Sequence, residues 1–527
     1  MAGGPIAFAY HDRTKHHLHR YARSLGYLDW ATQPDPFRRF AGAPLIELAR
    51  SSAAPDTPYE AIFGGAPPAA AMSLDSIGTF LRYSLGLSAW KQHGTSRWAL
   101  RVNPSSGNLH PTEAYVAWGG ALVHYAPREH ALEKRADLGL PVNRGGLLVG
   151  LTSIHWREAW KYGERAFRYC QHDAGHAIAA LRLAAAMLGW TLVLLPWRHV
   201  DIERVLGTER ETDFVDAELE EAECIAWVSA DGSPPPEPQA ITATQWYGRA
   251  NRLSPDHAEW PVIEEVARGT RRAGGIPMPK AQGPQPTSPL TLGPLDPRTF
   301  GPSAAQIILR RRSALAFDPR GHLRREAFAR MLGRLRPGAP PWDALWWPPH
   351  LHLVLFVHRV QDVTPGIYAC ARTGDAVAAM KAAMRPEFIW EPAAGIEGLF
   401  LLAPVDTGAT ANRLSCNQDI AEDGFFSLGM LARFEQPLRD YGDWFYRCLF
   451  WEAGMIGQVL YLEAEAAGGR ATGIGCFFDD PVHELLGLSG HAWQSLYHFS
   501  MGLPLDDARL STESGYDCES RSSTSRP

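Results

Sequence analysis

A chain of 527 residues, 45% hydrophobic and 20% charged, is long enough to hold more than one domain with a real core. Its formal net charge of −6 excludes the basic footprint of a general nucleic-acid or anionic-membrane binder. The seven cysteines include no Cys-x-x-Cys, which excludes a zinc ribbon or disulfide framework and fits a reducing, cytoplasmic setting.

The first ten residues carry no basic segment followed by a long apolar run, so no signal peptide is expected. His11, His16, His17 and His19 follow without a cysteine or carboxylate pair to complete a metal site, and none is expected there. Ser73 is placed to cap a helix on which Ile77, Phe80, Leu81 and Leu85 share one face. Next comes the polar stretch Asn103-Pro104-Ser105-Ser106-Gly107-Asn108. Pro104 fixes one φ angle, Gly107 permits a positive one, and the serines and Asn108 gather hydroxyl, amide and N–H groups at one bend. Such a bend can grip a flat, polar heterocycle, although the same composition also makes an ordinary loop. Strands are expected at Tyr115–Trp118 and Ala121–Tyr125, then an alanine-rich helix to about Gly189 and a buried strand at Leu192–Leu195. The longest apolar stretch, Ala177 to Trp197, contains Arg182 and reads as core rather than as a membrane span.

Composition shifts after Ser229. Ser233-Pro234-Pro235-Pro236 opens a linker broken by a short helix around Pro261–Ala267, and residues 268–305, rich in Gly, Pro and Thr, read as an extended tether. A second globular segment follows, with helices at Gln306–Arg312 and Arg325–Leu335 and a strand at Leu351–Val357. The Ser-rich tail beyond Leu510 is expected to be disordered. The expected boundaries are therefore 1–230, a linker over 231–304, 305–510, and a tail over 511–527.

The two segments repeat one another. Tyr162-Gly163, Arg168, Ala174-Gly175, Leu183 and Gly189 recur as Tyr441-Gly442, Arg447, Ala453-Gly454, Leu462 and Gly468, at a constant offset of 279 residues. Asp173 is matched by Glu452 and Phe167 by Tyr446. This pattern implies a tandem duplication of an α+β domain, with a period far longer than that of a solenoid. It also removes a decoy: His172 and His176 have the i, i+4 spacing of a zinc helix, but Trp451 and Met455 replace them in the other copy. The acid between them is Asp, where such proteases use Glu as the base, and no metal site is expected.

On these residues the sequence resembles a known family. Asn103 to Glu113 resembles the flavin-contacting turn of nitroreductase-fold enzymes, and Lys161-Tyr162 through Arg168, with Gly175-His176, resembles the Lys-Tyr segment of SagB-type dehydrogenases, which oxidise azoline rings in modified peptides. Arg310-Arg311-Arg312-Ser313 resembles the phosphate-binding entry of the family. Gly473-Ile474-Gly475-Cys476-Phe477 resembles its glycine strand, and Leu496 to Arg509 its closing motif. The resemblance implies an α+β fold of two nitroreductase-like domains, each a mixed or antiparallel sheet flanked by helices. Family members are usually homodimers with FMN in the interface; here the two halves would form a pseudodimer within one chain. The turn occurs only in the first half, and the Arg-x-Ser entry and glycine strand only in the second. One complete FMN site and one degenerate site are therefore expected.

In the site so implied, Arg311, Ser313 and Arg509 bind the FMN phosphate, because guanidinium forks match phosphate oxygens. Pro104, Ser105, Ser106 and Asn108 contact the ring and ribityl groups, and Gly473, Ile474 and Gly475 let the backbone approach closely. Lys161 and Tyr162 are the candidate base, since azoline oxidation needs a carbon-bound proton removed. Asp440 stands opposite Lys161 in the second copy. No Gly-x-Gly-x-x-Gly opens a helix after a strand, so a Rossmann nicotinamide domain is not expected. The implied substrate is a ribosomally made peptide, with a cyclodehydratase as possible partner. The alternatives are a small-molecule reductase using NAD(P)H and a catalytically inactive binding scaffold.

Overall fold

A computed structural model describes residues 5–50, 54–139, 145–274, 302–393 and 395–516. Most of the expected tether (275–301) and the end of the tail (517–527) lie outside the described residues. Strands are numbered here in chain order. In the first half, a hairpin of β1 (Leu87–His93) and β2 (Ser96–Arg101) precedes the polar turn. The main sheet then uses β3 (Thr112–Trp118), β4 (Ala121–Ala126), β5 (Ala131–Leu138), β6 (Gly146–Ser153), β7 (Thr191–Leu194), β8 (Glu221–Ser229) and β9 (Ala243–Trp246). Their spatial order is β9-β5-β4-β3-β6-β8-β7, with every pair antiparallel.

The second half repeats this layout. Its strands are β10 (Leu351–Val357), β11 (Gly366–Cys370), β12 (Glu391–Pro392), β13 (Leu399–Ala403), β14 (Phe426–Arg433), β15 (Arg470–Ile474) and β16 (Trp493–Gly502). Its order is β12-β13-β11-β10-β14-β16-β15; the six strands from β13 to β15 match β5-β4-β3-β6-β8-β7 term by term, while the outermost strands, β9 and β12, come from different places in the chain. Each half packs a 22-residue helix against its sheet, Ala166–Met187 in the first and Phe445–Ala466 in the second, and these begin and end 279 residues apart. The fold is thus α+β, built from two like units.

The two long helices cross at reciprocal glycines. A Cβ on Gly175 would lie 2.2 Å from the Trp451 carbonyl oxygen, and one on Gly454 would lie 2.1 Å from that of His172. Backbone meets backbone there, which no larger residue permits. The junction is further tied by buried ion pairs that cross it: Arg165 and Arg168 reach Asp479 at 3.0 and 2.9 Å, and Arg447 reaches Glu221 and Glu223, both at 2.7 Å.

Ser73 caps helix Leu74–Ser84 and accepts from the Ser76 N–H at 3.3 Å, as its position predicts. Three expectations need correction. The linker region is not free before residue 275: β9 pairs with β5, and helix Pro261–Gly269 buries Ile263 and Val266 in the core. The tail is ordered as far as 516, where β17 (Ser511–Ser514) pairs with β1 of the first half and Tyr516 is buried, donating to the Pro127 carbonyl at 2.6 Å. Polar composition alone does not reveal strand pairing of this kind, because the ladder is made by the backbone. Strand β7 is an edge strand, with Thr191 and Val193 exposed and Leu192 and Leu194 buried, rather than a fully buried one.

Exchange of segments runs both ways. Helix Pro5–Arg13 lies against the second half, with Phe8 edge-on to Phe434 (ring centroids 5.6 Å apart) and His11 Nε2 bonded to Gln494 Oε1 at 3.1 Å. No helix among the described residues is long and apolar enough to cross a membrane.

Candidate active site

A cleft of about 1220 Å³ opens where the two halves meet. Pro104, Ser105, Ser106 and Asn108 of the first half and Arg311, Ser313, Gly473, Ile474 and Gly475 of the second all line it, together with Tyr162. Stretches some 200 residues apart in sequence therefore face one space.

The turn is positioned from below by an acid. Gly107 (φ 61°) and Asn108 (φ 60°) are both left-handed, so the bend needs glycine and an asparagine tolerant of that region. The Asp173 carboxylate accepts from the Ser106 N–H at 3.1 Å and from its hydroxyl at 3.3 Å. The Ser105 hydroxyl accepts from the His110 N–H at 2.7 Å and donates to Glu158 at 3.3 Å. Asn108 donates through Nδ2 to the Ala99 carbonyl at 3.0 Å, and its Oδ1 pairs with His110 Nε2 at 2.9 Å. Its amide is thus spent on holding the hairpin to the turn.

Asp173 and Glu158 are both buried and face each other without a compensating arginine. Burial raises Asp173 to about 7 and pushes Glu158 well above the usual carboxylate range, with Asp173 itself adding to the rise at Glu158. The pair therefore retains a proton near neutral pH. Tyr162 is raised by burial and then by Glu158, so its hydroxyl stays protonated. A Cβ on Gly107 would lie 2.7 Å from the Tyr162 hydroxyl and 3.2 Å from Lys161 Nζ, which puts both expected base residues directly over the turn. Lys161 itself is exposed.

From the second half, the Arg-Arg-Arg-Ser stretch follows helix Ala304–Arg310. Arg311 is buried, donates to the Arg101 carbonyl at 3.0 Å, lies over the Tyr461 ring and leaves its Nε without a partner. Burial, then Arg311, brings Arg312 down to about 10. Lys91 is lowered by burial and then by Arg312 and Arg470, all three on the cleft wall. Arg470 pairs with Asp506, but Lys91, Arg311 and Arg312 have no ion-pair partner among the described residues, an arrangement that suits a dianion. Tyr461 ties this end to the glycine strand: its hydroxyl pairs with that of Ser313 at 2.9 Å and accepts from the Gly473 N–H, also at 2.9 Å. The Gly473 amide is therefore already used.

Arg509 is not among the lining residues. Its side chain points to Asp507, two residues earlier, at 2.7 Å and is largely exposed. Lys91 and Arg470, by contrast, line the cleft. Neither they nor the Asp173–Glu158 pair was named from the sequence, although the conservation of an acid between the two copies, Asp173 and Glu452, was the available signal for the latter. The clustered histidines do not converge on one point: His11 meets Gln494, and His16 Nδ1 accepts from the Ala22 N–H at 2.9 Å. Among the described residues the group with metal-ligand spacing is His199, Glu203 and Glu221, but Arg271 and Arg447 already hold its carboxylates.

Residues 308–503 match the Nitroreductase family. A solved protein of Anabaena variabilis described as a nitroreductase is 20% identical and superposes with a TM-score of 0.68 over 96% of this chain and 100% of its own. The chain has the nitroreductase fold. Two further structures match at low TM-score. One is the E. coli microcin synthetase McbBCD complex with truncated pro-MccB17 bound, at 16% identity over 37% of this chain and 70% of its own (TM-score 0.28). The other is an Exiguobacterium sibiricum protein, described as a nitroreductase in complex with FMN, at 13% identity over 38% of this chain and 88% of its own (TM-score 0.23). No curated protein matches the chain significantly.

Proposed function

We propose that the chain is an FMN-dependent oxidoreductase of the SagB type, which dehydrogenates azoline or similar rings in a ribosomally made peptide, with a cyclodehydratase as upstream partner. The observation that carries the reading is the convergence of the Ser105-Ser106 turn, the arginine entry and the glycine strand on one cleft. The residues present fit FMN: Lys91, Arg311 and Arg312, which have no ion-pair partner among the described residues, suit its phosphate, and Arg311 Nε is a buried donor still seeking an acceptor.

When bound, FMN supplies the hydride acceptor. The chain's own tasks are to orient the substrate over the turn and to accept a carbon-bound proton. Lys161 and Tyr162, standing over Gly107, are the candidate base residues. The protonated Tyr162 hydroxyl orients, and Lys161 takes the proton once a covering substrate provides the desolvation a lysine base requires. The buried Glu158–Asp173 pair lies directly beneath the same turn and can hold a proton near pH 7. Because Asp173 bonds the Ser106 N–H, its charge state is felt at the bend itself.

The test is flavin content and electron donor together. Purified chain should release one FMN on denaturation, should not be rapidly bleached by NAD(P)H, and should oxidise an azoline-bearing peptide with oxygen as final acceptor. Two flavins per chain overturn the single-site arrangement. Rapid bleaching by NAD(P)H without peptide oxidation turns the assignment to a small-molecule reductase, and absence of any flavin turns it to a binding scaffold.

A further inference from the structure

Two cysteines lie beside the cleft with no role in the reading above. Cys416 and Cys476 place their sulfurs 2.8 Å apart, inside van der Waals contact and within about 1 Å of the S–S bond length of ~2.05 Å. Cys476 follows Gly475 and lines the cleft. The two segments are pinned on both sides of the sulfurs: the Phe478 N–H donates to the Leu414 carbonyl at 2.9 Å, and the Gln418 amide donates to the Cys476 and Ser415 carbonyls at 3.1 and 2.7 Å. Cys416 and Asn417 both hold left-handed φ angles, 55° and 56°. Both cysteines are part-exposed, whereas Cys170, Cys224, Cys370 and Cys448 are buried. Accessibility and proximity therefore single out this pair among the described residues.

We propose that Cys416 and Cys476 are a reversible dithiol–disulfide pair that exchanges with low-molecular-weight disulfides. Cys476 is the attacking sulfur. Its thiol is held below the usual range by the hydrogen bond from Cys416 and, against burial, by His16 and Arg165, while Cys416 is raised. The Cys476 thiolate attacks one sulfur of a small disulfide, whose S–S bond breaks and expels a thiolate. Cys416 then gives up its proton and attacks Cys476 Sγ, expelling the second thiolate. Two cysteine thiols are oxidised, one disulfide is reduced to two thiols, and the two cysteine protons end on those thiols. The closed bond fixes the wall beside Gly475 and Gln418, both of which line the cleft. Nothing in this exchange requires flavin, so it stands or falls separately from the assignment above.

The experiment equilibrates the full chain in glutathione buffers of graded oxidation, quenches with acid, and tags free thiols under denaturing conditions before mass analysis. Oxidation should remove two of the seven thiols together, with one midpoint, and give a crosslinked peptide pair containing residues 416 and 476. In Cys416→Ser, glutathione should remain attached to Cys476; in Cys476→Ser, reaction with oxidised glutathione should slow tenfold or more. Seven free thiols at the oxidising end in the folded wild-type chain, or a crosslink mapping to another cysteine pair, overturns the proposal. The wild-type measurement decides even if a variant fails to fold.

Discussion

The two junctions between the halves are related by the same 279-residue repeat, yet one is an open cleft and the other is plugged. The counterpart of the cleft is a cavity of only about 40 Å³. Trp444 stands there at the position of Arg165, and it stacks with Trp346 (centroids 5.8 Å apart) while Arg272 lies over both rings. Leu194-Leu195-Pro196 replaces Gly473-Ile474-Gly475 along its wall. The acid of the long helix persists in both copies and in both binds the loop before the equivalent strand. Asp173 accepts from Ser106 ahead of β3, and Glu452 accepts from the His350 N–H at 2.9 Å ahead of β10. In the second copy, however, Arg372 pairs directly with Glu452, and the loop carries tryptophan and proline instead of serine. The scaffold of a site and its chemistry are thus separable: the acid–loop contact survives as structure where the polar turn has gone.

That contrast can be broken most severely at what the junctions share. Gly454→Ala puts a methyl into the backbone of the opposing helix and should cost about 3 kcal/mol in denaturant unfolding, an overpacking penalty at the upper end of its class. Trp444→Ala, by removing a packed indole from the plug alone, should cost a similar ~3 kcal/mol while leaving flavin content at one per chain. A second flavin in that variant would mean that the plug, and not the missing turn, closes the second site. On the open side, Arg311→Ala should weaken FMN by about 2 kcal/mol, the worth of a charge-assisted hydrogen bond, read by flavin titration of apoprotein.

Smaller effects sharpen the role of the acid. Asp173→Asn removes an ionisation near pH 7 and should erase the corresponding limb from the pH profile of turnover, whereas Lys161→Ala should lower turnover with FMN retained. Arg509→Ala should change flavin affinity by less than about 0.5 kcal/mol, because its exposed pair with Asp507 stands outside the cleft.

Stability should itself depend on pH through the buried His124. Burial lowers this group, but hydrogen bonds to Glu113 and Glu133 (both 3.0 Å) outweigh that and hold it at about 9. Its contribution is full below the unfolded value of about 6.5 and is lost as pH rises toward 9. Glu113, brought down to about 2 by Arg157 and His124 against burial, contributes above about 4.5 and loses this as pH falls toward 2. The melting temperature should therefore fall on either side of roughly pH 4.5 to 6.5, and Glu133→Gln should flatten the alkaline side.

What could be read from the sequence follows from where the signal is local. Ser73 caps its helix through its own hydroxyl, and the repeat locates both long helices because glycine and small residues must recur wherever backbones cross. That the turn and the arginines line one cleft is a placement of the same kind, carried by short local motifs. Lys91 and Arg470 were not legible, since each joins the cleft only when β1 and β15 are brought together by chain folding. Arg509 misled because a neighbour two residues away captures it, a competition that a motif does not register. The tail strand was hidden because Ser511 to Ser514 contribute backbone rather than apolar side chains.

The reciprocal arms have a consequence for assembly. Helix Pro5–Arg13 seals the second half and β17 completes a sheet in the first, so neither half carries its own full surface. The covalent connection between the halves then acts as a concentration device: it turns what would be a bimolecular encounter into an intramolecular one. A nick within residues 275–301 should leave a complex whose cohesion depends on dilution, with the open cleft lost as the fragments part.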